Sequence, residues 1–309
     1  MVNTFTQLAW DGPTLEDARH LIRLAVREDL SNQQDWTTMA TVGDERTSKA
    51  AIVARQPGIV AGIGIVAAVF EEMNIPSTVE LHVADGDELE SGTVLCKLGG
   101  LSRDLLTAER TILNFLGRLC GVATQTAVYA KLLEGTNARV YDTRKTLPGW
   151  RRLDKYAVGC GGGLNHRTGL FDAILIKDNH LAANAQQNKI EDMQDAIADV
   201  LRKARQFVEN LGPDRVLNMP VEIEVDTLEQ LAVALPCNPD IVLLDNMSLE
   251  ELRQAVQMRN DLSVETLLEA SGGVTSATLT DIGRTGIDRV SVGALTHSAI
   301  NLDLGLDWL

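Results

Sequence analysis

Beyond Val122 the chain repeats one pattern: a short apolar run closed by small or charged residues, a stretch with helical periodicity, then another run. The runs are 139–143 (RVYDT), 173–176 (AILI), 221–225 (VEIEV), 241–244 (IVLL), 264–270 (VETLLEA) and 289–293 (RVSVG). Between them, Thr227-x-x-Gln230 and Ser248-x-x-Glu251 have the capping-box form that starts a helix. Strand after strand with helices between predicts a parallel sheet. Packed into roughly 190 residues, the units suit a parallel α/β barrel, incomplete and TIM-like, better than a Rossmann sheet. The opening 120 residues read differently. A helix follows the Asp11-Gly12-Pro13 start signal, mixed β segments carry turn signals at Asp85-Gly86-Asp87 and Gly99-Gly100, and a helix covers 103–117. The pattern therefore predicts an N-terminal α+β sandwich domain over 1–120 and a barrel domain over 121–309. The polar segment 184–193 is expected to be a loop leading into a helix over 195–210.

Composition changes this picture little: 45% hydrophobic and 23% charged residues describe an ordinary globular chain. The longest apolar run, Gly58 to Phe70, is too short for a span of about 20 residues and has no charged segment before it. Neither a membrane anchor nor a secretory signal is expected, and the expected location is the cytoplasm. Cys96, Cys120, Cys160 and Cys237 have no metal-ligand spacing and predict neither structural zinc nor a disulfide framework.

Charge changes it more. A formal net charge of -15 argues against nucleic acid or an anionic membrane surface as the main partner. Yet residues 139–177 hold eight Lys or Arg against three acids, about +5, which leaves roughly -20 for the rest. Cations gathered beside Gly161-Gly162-Gly163 and His166-Arg167 in an acidic chain point to a small polyanionic ligand, with a solvated basic face as the plainer alternative.

In α/β barrels the active site gathers where strands end, so the residues closing each run are the candidates. They are Asp142, Thr143, Arg144 and Lys145; Lys177, Asp178, Asn179 and His180; Glu224; Asp245 and Asn246; Ser271, Gly272 and Gly273; and Gly293 and Ala294. Glycine turns after the last strands suit phosphate, because backbone N–H groups can approach it with no Cβ in the way. Arg144, Lys145, His166, Arg167 and Lys177 would surround an anion. Singly, each also reads as a surface ion pair. Glu222 and Glu224 share one strand face, where carboxylates need cations, hydroxyls or a metal as partners. For Glu224 and Asp245, hydroxyl or magnesium binding and a buried salt bridge are both open.

These residues also carry a resemblance. The segments AERTILNF (108–115), YDTRKTLPGWR (141–151), CGGGLNHRTGLFDAILIKDNH (160–180), VEIEVDTLEQL (221–231), IVLLDNM (241–247), EASGGVT (269–275) and SVGALTH (291–297) closely resemble the quinolinate phosphoribosyltransferases, in family order over nearly the whole chain. The resemblance implies that phosphoribosyl diphosphate (PRPP) and quinolinate become nicotinate mononucleotide, diphosphate and carbon dioxide, in NAD biosynthesis. It implies that Thr143, Arg144, His166, Arg167 and Lys177 hold quinolinate, with Arg110 of a second subunit closing the site of a homodimer. It places Lys145 between quinolinate and diphosphate. Glu224 and Asp245 would hold ribose hydroxyls and magnesium, directly or through water. The 5′-phosphate would sit on Ser271, Gly272, Gly273 and Gly293, with His297 assisting. A related enzyme acting on nicotinate would need fewer cations. A Schiff-base lyase would place Lys145 or Lys177 in an apolar pocket, and a binding-only regulator would not need Glu224 and Asp245.

Overall fold

The computed structural model describes residues 5–31, 33–212, 219–262 and 264–309. The described chain divides into two compact units. One comprises Phe5 and Thr6, Tyr129–Arg144 and Leu164–Gly293; the other comprises Gln7–Val128, Lys145–Gly163 and Ala294–Leu309.

The first unit is an all-parallel six-stranded sheet. Its strands are β6 (Arg139–Tyr141), β7 (Ile174–Ile176), β8 (Val221–Val225), β9 (Ile241–Asp245), β10 (Leu267–Ser271) and β11 (Arg289–Ser291), in the order β6-β11-β10-β9-β8-β7. Every run read from the sequence is a strand here: 221–225 is unchanged, 241–244 gains Asp245, and the other four are shortened or shifted at their ends. The order curls into an incomplete barrel, because the edge strand β6 makes a parallel bridge from Tyr141 to Leu164. The Leu164 amide donates to Val140 O and the Asp142 amide donates to Leu164 O. Register aligns the strand ends: Tyr141 faces Ser291, Ser271 faces Asp245, and Leu244 faces Val225. Alternation along the strands puts Val221, Ile223, Val242, Leu268 and Val290, all fully buried, on the face away from Glu222 and Glu269, while Ile241, paired with Glu222, lies on the inner face.

Local signals explain the flanking helices. The helix Leu249–Leu262 begins with a reciprocal capping box: the Glu251 amide donates to Ser248 Oγ and the Ser248 amide to Glu251 Oε2. At the helix Leu228–Ala234, the Gln230 amide donates to Thr227 Oγ1, but the Gln230 side chain accepts from Asp226 and not from Thr227. The 184–193 segment departs from expectation. A helix runs from Asp178 to Asn188, ending where Lys189 turns left-handed, so only 189–192 connect it to the helix Met193–Asn210. Polarity there marks a solvated helix face and not a loop.

The second unit is built on an antiparallel sheet of order β12-β1-β5-β3, from β12 (Leu304–Trp308), β1 (Thr47–Ala54), β5 (Val94–Leu101) and β3 (Ser77–Leu81). Gly99 and Gly100 lie inside β5, paired on both sides, and not at a turn. The edge strand comes from the chain's C-terminal segment, so this sheet joins residues over 200 positions apart. The helix read as 103–117 extends from Ser102 to Leu132. Gly117 and Gly121 do not break it, because both admit backbone from the 300–302 segment: the Leu302 amide donates to Gly117 O, and a methyl at 121 would lie 3.0 Å from Asn301 Cα. Packing here outweighs the roughly 1 kcal/mol helix penalty of a glycine. Among the described residues, no helix is long and apolar enough to cross a membrane.

Candidate active site

The polar residues that close the strands of the barrel unit lie at one end, as parallel registration requires. Lys177 follows β7 and its ammonium pairs with the Glu224 carboxylate, which stands near the end of β8. Asp245 ends β9 and accepts from Asn246 Nδ2 at 2.7 Å. Asn246 is in the left-handed region, and its amide donates to Ser271 O at the end of β10. Gly272 (φ 89°) and Gly273 (φ 57°) follow in conformations that favour glycine. Thr143 and Arg144 follow β6, with Arg144 exposed. Gly293 follows β11.

Beneath this rim, the segment after the Leu164 bridge turns inward. Buried Asp142 accepts from Asn165 Nδ2 and from the His166 amide, both at 2.8 Å. That fixes the backbone carrying His166 and Arg167, which are 5% and 7% exposed. Gly161 to Gly163 lie in the other unit and close the helix Arg151–Cys160. A Cβ at Gly163 would press on Val158 and Thr126. Burial lowers the Arg167 pKa and the charge of Arg144 lowers it further, so these two guanidiniums lie near enough to repel. Glu222 and Asp172 act in the opposite direction, so the two guanidiniums are partly balanced by acids and still offer paired cations to an anion.

The barrel centre holds a charged network that the sequence showed only in part. His166 Nε2 lies 3.2 Å from Glu222 and 3.4 Å from Glu269, both fully buried. Arg289, 2% exposed, lies over the rings of Phe5 and Tyr141, and its charge lowers both carboxylate pKa values. Burial opposes charge on His166, but Glu222 and Glu269 outweigh it and push its pKa up to about 10. The geometry qualifies this. The Arg167 amide donates to Nδ1 at 2.8 Å, so the ring proton in this arrangement sits on Nε2, and a second would displace that amide. Burial is also the largest influence on both carboxylates. In Glu222, with the charge of Glu269 added, it leaves the pKa raised; in Glu269 it is outweighed by His166, the Ser291 hydroxyl and Arg289, leaving the pKa lowered. Glu222 was visible as one of two acids on a strand face. Glu269 and Arg289 were missed, although an acid inside the apolar run 267–271 and a cation opening 289–293 were the available signals.

The residues expected to form one site do not all fall in this unit. Thr143, Arg144, His166, Arg167, Lys177, Glu224, Asp245, Ser271, Gly272, Gly273 and Gly293 do; Arg110, Lys145 and His297 belong to the other. Arg110 is exposed on the helix Ser102–Leu132. The Lys145 carbonyl accepts from Thr296 Oγ1, and His297 pairs with Ser298 Oγ. Among the described residues, the one cluster with three convergent metal-ligand atoms is His166, Glu222 and Glu269, not Glu224 with Asp245. Two rim carboxylates still fit magnesium, which keeps several waters and takes its remaining ligands from substrate phosphate.

The family model described as "Quinolinate phosphoribosyl transferase, C-terminal domain" matches residues 122–307, and the corresponding N-terminal domain model matches 35–120. The nicotinate-nucleotide pyrophosphorylase (carboxylating) of Mycobacterium leprae is 42% identical over 292 residues, 94% of this chain and 96% of that protein. The solved nicotinate-nucleotide pyrophosphorylase of Francisella tularensis superposes with a TM-score of 0.86 at 33% identity, covering 99% of this chain and 100% of its own. That of Ehrlichia chaffeensis gives 0.81 at 35%, covering 94% and 98%.

Proposed function

Because this chain belongs to the quinolinate phosphoribosyltransferase family, we propose that it transfers phosphoribosyl from PRPP to quinolinate with decarboxylation, giving nicotinate mononucleotide, diphosphate and carbon dioxide in NAD biosynthesis. The observation that carries this reading is the strand-end rim of the barrel unit. Arg144, Arg167 and Lys177 supply cations there, Glu224 and Asp245 supply carboxylates, and a Ser-Gly-Gly turn supplies open backbone.

Each part has a task in the chemistry. Arginines bind the two carboxylates of quinolinate bidentately and hold the ring nitrogen toward the anomeric carbon of PRPP. The nitrogen attacks that carbon as its bond to diphosphate breaks. Lys177 adds positive charge at the rim, and Lys145 would do so for the departing diphosphate. Magnesium, held by Glu224 and Asp245 directly or through water, would supply further charge neutralisation. The product of transfer is a pyridinium, an electron sink for the bond to the adjacent carboxylate. Carbon dioxide leaves, its bonding pair stays with the ring, and a proton takes its place. No strong general base is required. Transfer first and decarboxylation second is the order this chemistry favours.

Arg110, in this reading, completes the site of a second copy, which makes the protein a homodimer with shared sites. The cation set favours a dicarboxylate over nicotinate. Calorimetric titration tests this: quinolinate should bind at least about tenfold tighter than nicotinate, since a charged hydrogen-bonded pair contributes roughly 1.5–3 kcal/mol. Equal affinities would contradict the dicarboxylate assignment.

A further inference from the structure

Phe5 belongs by sequence to the segment before the first helix, yet it is 5% exposed inside the barrel unit. Its ring stacks on the His166 imidazole, centroids 4.2 Å apart at 29°. Arg289 caps the stack, 5.3 Å from the Phe5 ring and 4.6 Å from that of Tyr141. Around Phe5 pack Leu164, Tyr141 from the short edge strand β6, and Ala173, Ile241 and Leu267, of which Ala173 immediately precedes β7 and the other two open β9 and β10. Phe5 therefore occupies the strand N-terminal end of the barrel, opposite the rim of candidate site residues.

His166 is held on three sides. Phe5 covers a ring face, Glu222 and Glu269 face Nε2, and the Arg167 amide occupies Nδ1. Glu269 is itself fixed by the Ser291 hydroxyl. Tilting the imidazole would break the hydrogen bond from the Arg167 amide, which ties the ring to the backbone that carries the Arg167 guanidinium. The three donors His166, Glu222 and Glu269 would also suit a divalent ion. Arg289, however, already brings positive charge to both carboxylates, and among the described residues its two terminal nitrogens have no hydrogen-bond partner that would draw it elsewhere.

We propose that Phe5 and Glu269 are positioning residues for quinolinate: from the closed end of the barrel they clamp the His166 ring and so aim Arg167 at the substrate. The inference rests on the proposed activity, and its test keeps the two apart. Phe5→Leu preserves apolar bulk but removes the stack, and Glu269→Gln preserves shape and the capacity to bond Ser291. Each variant would be assayed for kcat, for both KM values and for Tm, with nitrogen NMR of labelled histidine reporting the His166 tautomer. We expect the quinolinate KM to rise about three- to tenfold, the worth of one stacked aromatic pair, with the PRPP KM nearly unchanged and the His166 signals moved. An unmoved quinolinate KM in folded variants, or equal rises in both KM values, would overturn the clamp. So would a stoichiometric divalent metal ligated by the three donors in the purified protein. If the unaltered protein did not turn over quinolinate, the activity would fall. The clamp would then be decided by NMR, and His166 signals identical in Phe5→Leu and the unaltered protein would refute it.

Discussion

Replacing Gly272 with alanine separates a phosphate cradle from an ordinary tight turn. Gly272 has φ 89°, and a methyl there would overlap Asn246 Oδ1, lie 2.5 Å from Asn246 Cγ and 2.9 Å from the Asn246 backbone nitrogen. Asn246 cannot simply swing aside. Its amide is bonded to Ser271 O, its side chain donates to Asp245, and its own φ is already positive at 54°. Gly273, the next residue, has φ 57° and nothing within 4 Å of a methyl. Gly273→Ala therefore meets only left-handed strain, about 1–2 kcal/mol. Gly272→Ala meets comparable strain plus displacement of the β9 turn, together about 2–4 kcal/mol. Because Asp245 and the turn are joined through Asn246, the loss should appear in PRPP binding. Steady-state kinetics with PRPP varied at saturating quinolinate should show kcat/KM for PRPP falling roughly 30- to 1000-fold in Gly272→Ala, and about 5- to 30-fold less in Gly273→Ala. Equal effects of the two variants, or an unchanged PRPP KM in Gly272→Ala, would refute the cradle.

Arg118, 11% exposed, forks onto fully buried Asp154 at 2.9 and 3.1 Å, so Asp154→Ala should cost about 3 kcal/mol by leaving the guanidinium only its bond to Thr296 O, read as a lower denaturant midpoint. Burial pushes the thiols of Cys96 and Cys120 up to about 12, so a thiol reagent at pH 8 should modify them only as the protein unfolds. The hydroxyl and then the amide of Thr38 hold Asp35 below 3.8. Its contribution to stability is therefore present above that pH and lost as pH falls through the depressed value, and Asp35→Asn should flatten the acid limb of a Tm-against-pH curve. Mixing Arg110→Ala with Arg144→Ala should restore part of the activity that neither retains, and no recovery after confirmed subunit exchange would contradict shared sites.

The barrel was legible because each of its strands carries its own closing residues: β8 is VEIEV as read, and β9 extends the IVLL run by Asp245 alone. Long-range placement was not legible. Nothing local in 304–308 says that it will pair with β1, and nothing in Phe5 says that it will stack on His166; both follow from packing among distant segments. Gly117, Gly99 and Gly100 misled for the same reason. Each serves a close backbone approach or a paired strand, while in isolation each reads as punctuation. The rim cations and the glycine turn could be read from position, but the buried His166, Glu222, Glu269 and Arg289 network needed the sheet register that sets their strands side by side.

The most direct measurement is release of labelled carbon dioxide from carboxyl-labelled quinolinate by the purified protein, with PRPP and magnesium supplied together or each withheld, and nicotinate offered separately. The account predicts release in step with nicotinate mononucleotide only when both are present. Consumption of nicotinate with no release from quinolinate would leave the barrel and its phosphate turn in place and contradict the claim that the rim cations hold a dicarboxylate.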